Sequence, residues 1–238
     1  MSGSIVHTAE SRGTTNLGWL HCRHTFSFGN YFNDQRVHFG ALRVINDELI
    51  APGKGYGTHP HSNMEIITIP LEGKIEHKDD LNNQSVISKG SIQVLSAGTG
   101  VFHSETNSDK SNSAHVLQIW IVPQLQKLKP RYSVKQYKTP ENEIVELVSL
   151  DRSEGKTWIY QNAWLGIGSI SDTATLLNYK LNKPGSNGVY VFVLSGQLIV
   201  DEQCLNAQDG MGLWDIETIA FQTQSTCEFL IIEIPLKA

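Results

Sequence analysis

The chain is poor in thiols. Three cysteines, Cys22, Cys204 and Cys227, are scattered over 238 residues with no C-x-x-C pair. That argues against a disulfide framework and a thiolate zinc site, and it fits a cytoplasmic protein. No apolar run approaches the roughly 20 residues that span a bilayer. The opening Met1–His7 has neither a basic n-region nor a long apolar h-region, so neither a signal peptide nor a membrane role is expected. An excess of one charge is missing too. Residues 1–123 carry 9 basic and 11 acidic side chains, and residues 124–238 carry 10 and 13. Neither half is the basic body that direct nucleic-acid binding needs. Helical periodicity is nearly absent. Histidine is absent beyond position 115: all nine lie at 7, 21, 24, 38, 59, 61, 77, 103 and 115. Imidazole chemistry is therefore confined to the first half.

What is present is a β rhythm. Short β-rich runs recur every 8–12 residues or so between Gly, Asn, Asp, Ser and Pro, the pattern of a sandwich or barrel. In the first half the runs include His38–Ile45, Met64–Leu71, Lys74–His77, Ser91–Leu95 and His115–Val122. In the second they are Ala163–Ser169, Thr175–Leu181, Gly188–Val200, Gly212–Asp215, Thr218–Thr223 and Glu228–Pro235. The stretch 124–140, which holds Lys127, Lys129, Arg131, Lys135 and Lys138 and no acid, reads as a solvated connector with room for a strand or helical turn. Two segments match across it. Ile69–Glu76 and Val193–Val200 both read strand, Gly turn, strand, and Lys89–Leu95 resembles Gln208–Trp214. The chain thus reads as two copies of one small β-barrel.

The chemistry concentrates in two blocks. Gly53–Glu65 contains His59-Pro-His61 and then Glu65; Gly98–Glu105 contains His103-Ser-Glu105. Residues i and i+2 on a strand share a face, so each pair can point into one barrel. Glu65 keeps the parity of His59 and His61 unless a bulge intervenes. Three imidazoles and one carboxylate make a competent set for a divalent Fe, Ni, Cu or Zn ion. Without thiolates, such a site can keep positions open for water, substrate or dioxygen. Spacing alone does not choose between Glu65 and Glu105 as the carboxylate. His21-Cys22-Arg23-His24 reads as loop and strand, and His115 as structural.

Gly53, His59, His61 and Glu65 resemble the first cupin motif, G-x₅-H-x-H-x₃-E, with Gly73 closing it one residue late. Gly90, Gly98 and His103 resemble the second, with Ser96 in place of Pro and His103 two residues late. These departures are similar to the pirin pattern H-P-H-x-x-x-E…E-G and A-G-x-G-x-x-H-S-E. Further matches are Gly18-Trp-Leu, His24–Phe32, Leu42–Asp47 and Gln118–Pro123. The resemblance is specific over about residues 10–135 and thin afterwards.

It implies an all-β protein of two tandem cupin barrels (double-stranded β-helix, or jelly-roll). Residues 1–123 would form a metal-binding barrel, 124–140 a linker and 141–238 a metal-free barrel. The resemblance also implies His59, His61, His103 and Glu105 as ligands, with Glu65 excluded, of one divalent metal per chain. Fe(II) is the expected ion, with Ni, Cu, Co, Mn and Zn compatible. The implied activity is quercetin 2,3-dioxygenase-like: cleavage of a flavonoid substrate by dioxygen with release of carbon monoxide, and Glu105 as the expected base. The alternative is a metal- or redox-sensing pirin-type regulator that binds a protein partner.

Overall fold

Burial explains why some strands read clearly in the sequence and others did not. The segment Glu65–Glu72 is apolar on both faces, because one face lines a barrel and the other packs on a second sheet. The computed structural model describes residues 2–152 and 157–237. Among these the chain folds into four antiparallel sheets and one short 3₁₀ turn.

The first half builds a seven-stranded sheet and a four-stranded sheet. The larger has the order β12 (Arg131–Gln136), β9 (Ser91–Ser96), β6 (Glu65–Glu72), β11 (Ala114–Ile121), β4 (Leu42–Ile50), β3 (Leu20–His24), β2 (Gly13–Asn16). The smaller runs β5 (Gly55–His61), β10 (Val101–Asn107), β7 (Lys74–Asp79), β8 (Gln84–Ser88). The second half repeats the plan. A six-stranded sheet runs β1 (Gly3–His7), β19 (Gly210–Trp214), β16 (Asn187–Ser195), β21 (Cys227–Pro235), β14 (Trp164–Ile170), β13 (Glu143–Val148). Its four-stranded companion runs β15 (Leu177–Lys180), β20 (Thr218–Gln222), β17 (Gln197–Val200), β18 (Gln203–Asn206). Together these are the two cupin barrels of a bicupin.

The two halves can be laid on one another. Gly73 and Gly196 turn at φ +75° and +76° between corresponding strands, a region that favours glycine. A Cβ at Gly196 would stand 2.1 Å from the Thr226 carbonyl oxygen. With these turns aligned, the cross-strand register places Val200, Ile219 and Phe221 where the first barrel has His77, His103 and Glu105.

Two strands cross the boundaries drawn from the sequence. β1, from the start of the chain, pairs with β19 and closes the edge of the second barrel's sheet. β12, inside the connector 124–140, pairs with β9 and closes the edge of the first. Each covers an edge that would otherwise present unpaired backbone groups.

One core lies between the barrels. Ile45, Ile67, Ile69, Leu117 and Ile119 of the seven-stranded sheet meet Tyr190, Phe192, Leu230 and Ile232 of the six-stranded sheet. A second core fills the C-terminal barrel with Val189, Val191, Leu198, Leu213, Phe221 and Phe229. The interior of the first barrel is different. Two small apolar clusters, around Ile75 and Val116 and around Ile66 and Val101, flank a polar middle.

Candidate metal centre

That polar middle arises from strand alternation. β10 buries Val101, His103, Glu105 and Asn107 while Phe102 faces out. On β5, His59 lies opposite His103 and His61 opposite Val101. The register then slips, so that Glu105 faces Tyr56 rather than Gly57. This bulge leaves the Gly57 carbonyl free to accept a hydrogen bond from His59 Nδ1 at 2.8 Å. Nε2 of His59 is then the nitrogen left to ligate.

His59, His61 and His103 converge. Their ring centroids are 4.5 to 5.0 Å apart, and one nitrogen from each lies within 4.8 Å of the others. Burial pushes the His103 imidazole down to about 3, and the neighbouring His59 and His77 add to the shift. Burial and then His103 and His59 push His61 down to about 4. Both are neutral at pH 7, the form that coordinates metal. Nε2 of His103 is buried and has no hydrogen-bond partner among the described residues. Such an atom is rare in a native interior, and a cation held by three imidazoles would account for it. The donor set therefore fits a divalent first-row ion.

Glu105 points into the same barrel but is held differently. Its Oε1 accepts from Thr68 Oγ1 at 3.0 Å and from Gln93 Nε2 at 2.7 Å, and its Oε2 accepts from Gln118 Nε2. It forms a second close set, with His103 and His77. Glu65 does not share the site. Asn63, at φ 49°, turns the chain between β5 and β6, and the two strands belong to different sheets. The parity of His59 and His61 therefore does not carry across. Glu65 instead shares the face of Ile67 and Ile69, away from the imidazoles. There it accepts from Ser96 Oγ at 2.5 Å. Burial raises its carboxyl to about 7, with Ser96 and Arg131 opposing the shift.

The imidazoles open on a cavity of about 130 Å³ walled by Phe28, Tyr56, Ile66 and Trp120, with Asn46, Glu48, Gln118 and Glu105 as its polar members. Trp120 meets Phe28 and His61 edge to face. Glu48 gave no signal in the sequence beyond being one acid in a β run. Burial, and then the charge of Glu105, raise it to about 8, so it holds its proton at pH 7. His77 and Gln118 were equally silent.

His24 and His115 are structural. His24 bonds Asn46 Oδ1 and Thr15 Oγ1, each at 2.8 Å, and burial drives the adjacent Cys22 thiol far up. His115 pairs with Asp47 at 2.5 Å, and Asp47 also holds Arg12 at 3.2 Å. No helix of the described residues is long and apolar enough to cross a membrane.

Comparisons with known proteins agree with this architecture. A family model described as Pirin matches residues 5–121, and one described as Quercetinase C-terminal cupin domain matches residues 146–234. A protein of Escherichia coli (strain K12) named quercetin 2,3-dioxygenase is 35% identical over 230 residues, which cover 97% of this chain and 98% of that protein. The crystal structure of YhhW from Escherichia coli superposes with a TM-score of 0.93 at 33% identity, covering 98% of each chain. The structure of the bacterial pirin YhhW in complex with nickel(II) gives 0.92 at 33% identity, covering 98% of this chain and 99% of that one.

Proposed function

The chain belongs to the pirin family, and from that premise we propose that it is a metal-dependent dioxygenase that opens a flavonol such as quercetin and releases carbon monoxide. The observation that carries this reading is the convergence of three imidazoles on a cavity with aromatic and aliphatic walls. The name of the Escherichia coli relative and the nickel complex of its bacterial pirin support it. The ligands are His59, His61, His103 and Glu105. The ion is a first-row divalent metal, Fe(II) foremost, with Ni(II) next. When bound, it supplies the Lewis acidity that makes an enolic hydroxyl easier to deprotonate and brings dioxygen beside it.

The chain's own residues do the rest. Phe28, Ile66 and Trp120 give an aromatic ring apolar surface and exclude water. An apolar cavity of about 150 Å³ takes one benzene ring. The 130 Å³ here is somewhat less, so at most one ring of the flavonol enters it and the remainder lies in the mouth. The flavonol's 3-hydroxyl must lose its proton before its electrons can move toward dioxygen. Glu105 is the base for that proton, because burial makes the Glu48 carboxyl harder to ionise and Glu65 faces away. To accept it, Glu105 exchanges one of its three donors, Thr68, Gln93 or Gln118, for the substrate hydroxyl. The dioxygen is consumed whole: two oxygen atoms enter the product as one carbon leaves as carbon monoxide.

The test is metal analysis of anaerobically prepared protein, with quercetin turnover followed on the same sample by loss of flavonol absorbance and release of carbon monoxide. One equivalent of metal with turnover is expected. A metal-loaded sample that leaves quercetin untouched overturns the oxygenase reading and moves the regulatory one ahead.

A further inference from the structure

β7 carries a third i, i+2 pair, His77-Lys78-Asp79, which the ligand set does not use. In the sheet, Asp79 lies opposite His103 and His77 opposite Glu105. The side chains of His77 and Asp79 are both fully buried. Their hydrogen bonds run in one line. Asp79 Oδ2 is 3.1 Å from His77 Nε2, and His77 Nδ1 is 3.4 Å from His103 Nδ1. Asp79 is itself fixed by the backbone N–H groups of Leu81 and Asn83, at 3.0 and 2.9 Å, and by Asn83 Nδ2 at 2.8 Å.

The chemistry of the groups sets the direction of that line. A carboxylate only accepts, so Nε2 of His77 carries its hydrogen and donates. Nδ1 of His77 is then the acceptor between the rings, and His103 Nδ1 supplies the hydrogen. His103 is thereby held as the tautomer with a bare Nε2. That nitrogen is the buried atom left without a partner, on the ring that forms the close set with His59 and His61. Tyr132 of β12 stacks on His77 with ring centroids 4.3 Å apart and planes 14° apart, so the middle ring of the line cannot turn freely.

We infer that His77 and Asp79 are positioning residues for the metal: they fix the tautomer and the ring orientation of His103, so that its Nε2 is ready to ligate. The inference rests on the metal reading given above. A partner on the far nitrogen of a ligating imidazole is worth about 10- to 100-fold in metal affinity.

The experiment compares wild type, His77→Phe and Asp79→Asn by nitrogen NMR of the imidazoles in metal-free protein and by Ni(II) titration. His77→Phe keeps a ring for Tyr132 to stack on and removes both nitrogens. Asp79→Asn keeps an acceptor and the shape, and guards against His77→Phe failing to fold. In wild type, His103 should be the Nδ1–H tautomer alone. In His77→Phe the Nε2–H form should appear, and Ni(II) affinity should fall by about 10- to 100-fold with one ion still bound at saturation. Asp79→Asn should shift both readouts in the same direction and by less. Unchanged affinity and tautomer in folded His77→Phe would overturn the inference alone. Complete loss of binding in His77→Phe but not in His59→Ala would also overturn it, by making His77 a ligand. Failure of wild type to bind Ni(II) would overturn the metal reading and this inference with it.

Discussion

Three buried or half-buried side chains, two at the site and one behind it, each make a separate forecast. His59 offers one of three converging imidazoles. His59→Ala should bring metal content well below one ion per chain by elemental analysis, with the melting curve of the metal-free protein little changed, because the ring is only half-buried. Glu105→Gln keeps shape and removes basicity, so quercetin turnover should drop by roughly 10²-fold or more. Glu65→Gln should leave turnover alone and act on stability instead. The Glu65 carboxyl sits at about 7 in the fold against an ordinary 4.5, so the folded chain holds the proton more tightly than the unfolded one. Its stabilising share is full below pH 4.5 and is lost as pH rises through 7, on the order of 3 kcal/mol in all. Denaturant unfolding between pH 5 and 8 should therefore show a shallower decline in Glu65→Gln than in wild type. A residue-level reading of the sequence reached both i, i+2 pairs that meet inside the barrel, because each lies on one strand. It misjudged the parity of Glu65 because the turn at Asn63 passes the chain from one sheet to another. It missed His77 and Glu48 because nothing local marks an inward-facing polar side chain in a strand whose partners arrive from elsewhere.

Among the elements, the strands that read clearly are those with a face in a core: β6, β7, β9, β11 and most of the second half lie where the apolar runs put them. β1 was not read at all, and β12 was read only as room for a strand or helical turn in the connector, for one shared reason. Both are edge strands of mixed composition, Gly-Ser-Ile-Val-His and Arg-Tyr-Ser-Val-Lys-Gln, whose pairing partners lie some 200 and 40 residues away in the chain. Their roles make a forecast at this scale. Deleting residues 2–7 uncovers the edge of β19 and removes the His7 Nδ1 bond to Tyr190 at 2.9 Å. The shortened chain should melt earlier and scatter light on heating at concentrations where the full chain stays clear, as exposed edges pair with other copies.

The molecule as a whole is organised around the layer between its barrels, which draws Ile67, Ile119, Phe192 and Leu230 into one apolar body. Phe192→Ala should cost about 3–5 kcal/mol. Its calorimetric trace should still show one transition, because the damaged layer belongs equally to both halves; two resolved transitions would mean that the barrels melt independently. Two β-barrels were legible from two matched segments, and the bicupin plan from the resemblance to the cupin and pirin motifs. The shared layer was not, since outward- and inward-facing isoleucines of a strand buried on both sides look alike in a sequence.

The crossed edge strands bear on how such a chain can evolve. The first barrel's border comes from the connector and the second's from the start of the chain, so the second cannot be excised with its border intact. Val200, Ile219 and Phe221 fill the places that His77, His103 and Glu105 occupy in the first barrel. The second barrel is apolar at those interior positions yet still supplies the sheet that covers Ile67 and Ile119 of the first. A terminal deletion that removes the second copy also strips away the six-stranded sheet that covers Ile67 and Ile119, and it leaves β1 without its partner. The inheritance of the two halves is thereby linked, whichever of them performs the chemistry.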